Sequence, residues 1–198
     1  VRRQRQMCIR DRLVSPNEMK QKFIRLINEE IKNKQAGKPA YILIKINHIT
    51  DPVMVKKLYE ASSHGVRIDL LVRGNCSLIT GVPGVSDTIR INGIIDRYLE
   101  HSRIFIFANG GDEKMFIGSA DWMPRNLDNR VEVIAPVYDP EIKADLKRVV
   151  EYGLKDTLQG RVVDGTGENR PWISEDKTAF RSQEELYKYY LNENRIKD

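Results

Sequence analysis

Two short runs could do chemistry together: His101-Ser102-Arg103, entering an expected strand, and Gly118-Ser119-Ala120-Asp121, ending the next one. Alternation along a strand puts His101 and Arg103 on the same face. An imidazole there can act as a nucleophile or carry a proton, and an always-cationic guanidinium can clamp phosphate oxygens. Asn109-Gly110-Gly111 supplies a tight turn between the two strands, so the hairpin return carries Ser119 or Asp121 back toward the pair. Asp121 also stands where an N-cap would precede a short helix over residues 122–127, and the cap is the reading preferred for it.

The elements that must position these residues follow from periodicity. Ser15-Pro16-Asn17-Glu18 reads as a capping box, and Met19, Phe23, Leu26, Ile27 and Ile31 follow at helical spacing until Gly37. Residues 40–46 form a mostly apolar run that suits a buried strand. Asp51-Pro52 opens a second helix with Val55, Leu58 and Tyr59 on one face and Gly65 beyond its end; residues 66–72 make another apolar strand. Two buried strands joined by a helix predict a parallel βαβ unit, and ligands of such sheets gather beyond the carboxyl ends of the strands. Residues 73–86 leave that end of the second strand, which gives Arg73 a functional position. Farther along, residues 88–91, 102–107, 115–118 and 130–136 are expected strands. Residues 139–156 are an expected helix with Ile142, Leu146, Val149 and Val150 inward. Residues 160–170 read as a Gly- and charge-rich loop, and residues 181–196 as a terminal helix with Ser182 in the capping position. With no internal repeat or linker, one α/β domain is expected.

The chain has 198 residues, 40% hydrophobic and 31% charged, enough for one sizeable core. These proportions exclude disordered, collagen-like and coiled-coil classes. No run approaches the roughly 18 apolar residues of a membrane helix. The formal charge of +5 invites a nucleic-acid reading, yet residues 1–12 alone hold five arginines against Asp11. The rest of the chain, with 28 basic and 27 acidic residues, is balanced, so no nucleic-acid partner is expected. Residues 1–12 lack the apolar stretch of a secretory signal. They read as an artefactual or disordered basic tail ahead of a domain over residues 13–198, with a phosphate-contacting arm as the alternative. Cys8 lies in that tail, which leaves Cys76 alone as an inert buried thiol and excludes a disulfide framework or a cysteine-rich zinc site. Three histidines make no multi-histidine metal centre, so no residue is assigned to a metal. A reducing, intracellular compartment fits. No G-x-x-x-x-G-K-[ST] loop and no G-x-G-x-x-G after a strand is present. Gly81-Val82-Pro83-Gly84 reads as a turn, His64 as a helix C-terminal residue, and Trp122 and Tyr98 as core.

His101-Ser102-Arg103 with Gly118-Ser119-Ala120-Asp121 has the shape of the His-x-Lys … Gly-Ser-x-Asn half-motif of the phospholipase D superfamily, with Arg in place of Lys. Flanking blocks extend the likeness: Gly65-Val66-Arg67-Ile68-Asp69-Leu70-Leu71-Val72-Arg73-Gly74, Arg97-Tyr98-Leu99-Glu100 before His101, Ser119-Ala120-Asp121-Trp122-Met123 and Arg130-Val131-Glu132-Val133. In this order they resemble the C-terminal catalytic region of family 1 bacterial polyphosphate kinases, over about residues 15–158. Gln183-Glu184-Glu185-Leu186-Tyr187 resembles that family's C-terminal helix.

The resemblance implies a phospholipase-D-like α/β domain with a mixed β-sheet flanked by helices. It implies an ATP–polyphosphate phosphotransferase that reversibly moves the terminal phosphate of ATP to polyphosphate through a phosphohistidine. ATP or ADP and polyphosphate are then the partners, Mg2+ arrives with the nucleotide, and the full-length enzyme forms a homo-oligomer in the cytoplasm, with peripheral attachment to the inner membrane as a variant. His101 matches the histidine of the second of two facing halves and Arg73 an arginine that binds nucleotide phosphates; Arg103 joins them on phosphate. Arg130 and Glu132 fall where the family lines its active centre. The phosphorylated histidine belongs to the first half, which this chain does not carry, so it is expected to be one half of a site, a truncated frame inactive alone. His48 replaces a family serine and is not expected to be a catalyst. Two rivals stand beside this reading: a superfamily phosphodiesterase or nuclease completed by dimerisation, against which Arg103 argues, and a non-catalytic polyanion-binding module.

Overall fold

The structure, a computed structural model, describes residues 12–16, 18–173 and 178–195. The chain runs β1 (Leu13–Ser15), α1 (Met19–Gln35), β2 (Tyr41–Ile46), α2 (Pro52–Ser63), β3 (Arg67–Val72), β4 (Ile89–Ile94), β5 (Ile104–Phe107), β6 (Lys114–Gly118), β7 (Glu132–Val137), α3 (Pro140–Lys155), β8 (Gly160–Val162) and α4 (Ser182–Arg195). One mixed sheet takes the order β1-β7-β6-β5-β2-β3-β4-β8. β2, β3 and β4 are parallel neighbours, with Ile44 opposite Leu70 and Leu70 opposite Ile91. β5, β6 and β7 continue antiparallel beyond β2. The expected parallel βαβ unit and the mixed sheet flanked by helices are both present.

Helices cover both faces, which is why the central strands read as apolar runs without alternation. On one face α1 and α2 set Met19, Phe23, Ile27, Met54 and Leu58 against Ile42, Ile44, Leu70, Phe105 and Phe107. On the other, Leu146, Val149 and Val150 of α3 pack on Leu43, Leu71 and Ile106. Each such side chain contributes roughly 1.5–3 kcal/mol when fully buried. That double layer makes the sheet a stiff frame for whatever its strand ends carry. No helix among the described residues is long and apolar enough to cross a membrane.

Asp51 caps α2 as its sequence predicts, accepting from the N–H groups of Val53 and Met54 at 3.0 Å each, with Pro52 opening the helix. Its second oxygen pairs with Lys20 of α1 at 2.9 Å, so one buried carboxylate both caps one helix and pins the other. Asp51→Ala is expected to lower the unfolding free energy in urea by about 1–2 kcal/mol, with Asp51→Asn, which keeps an acceptor, losing less. Equal stability of all three proteins would contradict the cap. His64 sits at the end of α2, its Nδ1 donating to the Glu60 carbonyl at 2.8 Å, as a helix C-terminal residue should.

Several local expectations are overturned. Ser15 and Glu18 do not form a capping box: α1 begins at Met19, and Glu18 makes no side-chain cap bond. Residues Leu13–Ser15 instead pair with β7, burying Leu13 against the sheet, and Ser15 Oγ donates to the Asn126 carbonyl at 2.5 Å. Strand pairing buries apolar surface that a cap cannot, so it wins. Ile142 lies in the first turn of α3 and is 52% exposed; the inward stripe starts at Leu146. Within the expected loop 160–170, β8 pairs antiparallel with the open edge of β4, a three-residue strand too short to show a period. Tyr98 is 60% exposed rather than core, whereas Trp122 is fully buried. Ser182 opens α4 with its N–H and hydroxyl both donating to Asp156 at 2.7 Å. The basic tail expected over residues 1–12 falls, but for Arg12, outside the described residues.

Candidate active site

The strand registers bring four chain segments to one edge of the sheet. Ile46 faces Val72, Lys45 faces Ile104, and Ile104 faces Ile117. Just past these pairs stand Asn47, Arg73, Arg103 and Gly118. Parallel β2 and β3 therefore end there, β5 begins there, and β6 ends there. The edge is the carboxyl end of the parallel strands, the place where α/β sheets hold ligands.

Asp121 is the hub of what they build. The residue is only 5% exposed, and its Oδ1 accepts from the N–H of Asn47 (3.0 Å), the N–H of His48 (3.3 Å) and the Asn47 amide (3.3 Å). Arg103 grips it two-pronged, Nε to Oδ1 at 3.2 Å and Nη2 to Oδ2 at 3.0 Å. Burial alone would raise this carboxyl, but hydrogen bonding and charge from Arg103, with the N–H groups of Asn47 and His48, hold it below the usual carboxylate range. From the hub the network runs two ways. Asn47 Oδ1 accepts from Arg73 Nε at 2.5 Å, and Arg103 Nη1 donates to His101 Nδ1 at 2.8 Å. A guanidinium has no acceptor, so Nδ1 offers its lone pair and the neutral ring carries its proton on Nε2. His101 itself is exposed. Sequence-predicted Arg73, Arg103 and His101 thus belong to one hydrogen-bonded chain.

His101 and Arg103 come together for another reason than the one expected. Residues 101–103 precede β5 and are not in a strand, so alternation does not align them; the Arg103 guanidinium also bonds the His101 carbonyl at 3.0 Å and folds the segment on itself. Asp121 is not a helix cap: the expected helix over residues 122–127 is a π-turn at Arg125–Asn129, and Asp121 is taken up by Arg103. Gly118 lets β6 press against β7, since a Cβ there would lie 2.3 Å from the Val133 carbonyl oxygen.

Glu132, at the start of β7, is fastened by the Ser119 hydroxyl and by the Asn126 amide at 2.6 Å. Arg130 precedes it, exposed, with no partner for its side chain among the described residues. Both stand at this end of the sheet; Glu132 is linked to Asp121 through the Ser119–Asp121 turn and not by direct contact. The loop bearing His101 is strapped from α4: Gln183 bonds the Tyr98 backbone at N–H and carbonyl, 2.9 Å each, and the Glu100 carboxylate at 2.9 Å. Glu100 also pairs with buried Lys45, and Arg181 holds Asp96 two-pronged. Asn47 and the hub role of Asp121 were missed from sequence; the signal available was that Asn47 directly follows the first parallel strand.

Other candidates are spoken for. His48 Nδ1 accepts from the Asn75 N–H at 2.9 Å. The turn at residues 81–84 uses its own amides, Val82 on Ser86 and Gly84 on Asp87, rather than offering them to phosphate. Burial pushes the Cys76 thiol up, away from reactivity. No group of three His, Cys, Asp or Glu side chains among the described residues could hold a metal ion, and both Glu132 oxygens are engaged.

Comparison with known proteins bears on this edge. A family model described as polyphosphate kinase C-terminal domain 2 matches residues 12–183. Polyphosphate kinase of Escherichia coli K12 is 42% identical over 177 residues, covering 89% of this chain and 26% of the relative. The crystal structure of polyphosphate kinase from Porphyromonas gingivalis superposes with a TM-score of 0.89 at 39% identity, over 94% of this chain and 28% of that one. Nuc from Salmonella typhimurium, a phospholipase D family member, shares the fold alone, with a TM-score of 0.54 at 15% identity over 78% of this chain and 97% of its own. The phospholipase-D-like architecture is therefore present, and the chain spans about a quarter of the length of the polyphosphate kinases it matches. Matched by the family model over most of its length, and by a solved member in fold, this chain belongs to the polyphosphate kinase family as part of its C-terminal region.

Proposed function

We propose that this chain supplies one half of the active centre of an ATP–polyphosphate phosphotransferase, binding the phosphates of ATP or ADP and of polyphosphate. The observation that carries the reading is the continuous chain Arg73–Asn47–Asp121–Arg103–His101 at the carboxyl edge of the sheet. Phosphoryl transfer is mostly positioning and neutralisation of oxygen charge. Arg73 has both terminal nitrogens without a partner among the described residues and Arg130 its whole guanidinium, so both can receive phosphate oxygens. Arg103, spent on Asp121, positions His101 and sets the tautomer of its neutral ring. His101 then presents Nε2–H to a phosphoryl oxygen, donating or shuttling a proton. Glu132, fixed by Ser119 and Asn126, orients the wall beside Arg130.

Magnesium belongs to the substrate in this reading, arriving as Mg·ATP, and no group of three His, Cys, Asp or Glu side chains among the described residues stands ready for it. The phosphohistidine of the reaction, the homo-oligomer and a cytoplasmic location belong to the longer protein that the family resemblance implies. The test is calorimetric binding of Mg·ATP and of polyphosphate to the chain. Arg73→Ala is expected to weaken both at least about tenfold, equivalent to about 1.4 kcal/mol, and His101→Ala to weaken them less. Binding indifferent to both substitutions would remove the reading.

A further inference from the structure

A cleft of about 390 Å³ opens between the ends of β3 and β4, beside the arginine network and sharing Arg73 with it. Because those strands are parallel neighbours, it lies at the same ligand-bearing edge of the sheet. Its walls carry two arginines, Arg73 and Arg161, the amides Gln159 and Asn169, and no carboxylate. Gly93 forms part of the floor where Val163 packs closely on it: a Cβ there would lie 2.8 Å from Val163 Cγ2 and 3.3 Å from the Val72 carbonyl oxygen. Gly93 is also the partner of Arg161 across β4 and β8, so the residue facing Arg161 on β4 carries no side chain.

Both arginines are pre-set. Arg161 Nη1 is tethered to the carbonyls of Gly160 (2.8 Å) and Leu158 (3.4 Å), while its Nε and Nη2 have no partner among the described residues. Arg73 is held through Nε by Asn47, with its terminal nitrogens uncommitted. The turn bearing Asn169 is tied by Asp164, which accepts from the Thr166 N–H and hydroxyl and pairs with Arg170; Asn169 itself sits at φ +50°. Oriented guanidinia without a neighbouring carboxylate select oxyanions, and two of them bordering one cleft select an anion that repeats along a chain.

We propose that this cleft is a second phosphate subsite, taking an internal stretch of a phosphate polymer whose reacting end lies at Arg73 and His101. The assignment rests on the phosphate-binding reading of Arg73 given above. Arg73, bordering both places, hands the polymer from one to the other, whereas a nucleotide's phosphates engage Arg73 without reaching Arg161.

Calorimetric titration of the full 198-residue chain with Mg·ATP and with long-chain linear polyphosphate, at about 0.15 M salt, separates the possibilities. Arg161→Ala is expected to weaken the polymer about tenfold and to leave Mg·ATP within about twofold, while Arg73→Ala weakens both. Lys32→Ala, which removes the same charge from a surface pair with Glu29, is expected to change neither. Amide NMR of the unsubstituted chain gives a second readout: polymer, and not Mg·ATP, should shift Gly93, Arg161 and Asn169. Polymer binding unchanged by Arg161→Ala but weakened by Arg73→Ala would sink the subsite and leave the phosphate reading standing. Equal loss of both ligands in Arg161→Ala would make the cleft a nucleotide site and overturn the polymer assignment. Ligands indifferent to Arg73→Ala would remove both proposals together.

Discussion

Asp121→Asn is expected to lower the unfolding free energy by about 3 kcal/mol at pH 7, with Asp121→Ala at or above that loss, within the roughly 3–5 kcal/mol of a broken buried pair. The carboxylate receives five donated hydrogen bonds from Arg103, Asn47 and His48. An amide of the same shape offers one oxygen and turns an N–H toward donors, and Arg103, itself 9% exposed, loses its counter-charge. The pH dependence carries the same signature. Asp121 is held below its usual range in the fold, so its contribution is complete above the unfolded value, about 3.9, and disappears as pH falls through the lower folded value. The substituted protein should therefore lose less stability than the unsubstituted one on acidification below about pH 4. Urea midpoints across that range check it. A loss under about 1 kcal/mol at pH 7 would mean that Arg103 finds water or another partner, and that Asp121 is not the hub.

Trp122→Ala is the other large expected loss, about 3–5 kcal/mol. The ring is fully buried, edge-on to Phe23 at 5.2 Å and stacked on Phe105 at 5.8 Å, where α1 and the sheet meet. Its backbone also locks the two site loops together. Trp122 N–H donates to the His48 carbonyl at 3.1 Å, and its carbonyl accepts from Thr50 (2.8 Å) and Asp51 (2.9 Å). Emptying that position loosens Asp121 next door as well as the core. The indole Nε1–H, by contrast, has no acceptor among the described residues. Trp122→Phe removes that unmet donor, worth about 1–3 kcal/mol, while keeping a ring in the stack, so it is expected to cost far less than Trp122→Ala. Equal losses in the two variants would show that volume alone governs the position.

Much of the fold was legible because the signals were local or strongly periodic. Asp51-Pro52 announces a helix start by chemistry that needs no tertiary partner, and the structure shows that cap. The apolar runs at β2 and β3 and the helix between them imply a parallel pair, since chain length and burial leave little else. At the site, the residue types of His101, Arg103 and Arg73 drew attention, and the structure joins them in one network. Where local chemistry competed with long-range pairing, the sequence misled. Ser15 has the sequence of a cap, yet Leu13–Ser15 pairs with β7, far along the chain. Asp121 has the sequence of a cap too, yet a buried arginine eighteen residues earlier holds it more strongly than free helix amides would.

By itself, then, the sequence determined which side chains were available and that the two strands joined by α2 would lie side by side. The charged and polar types at positions 73, 101, 103, 130 and 132 are written in it, as is the apolar patterning that builds a sheet covered on both faces. Only the tertiary structure decided that Asn47 and Asp121 link two distant arginines, that residues 101–103 lie outside the strand, and that Arg161 borders the cleft beside Arg73. The physical reason is that a carboxylate's partner is settled by register. The pairings of β2 with β3 and β5, and of β5 with β6, bring residues 47, 73, 103 and 121 to one edge, and no spacing along the chain encodes that distance.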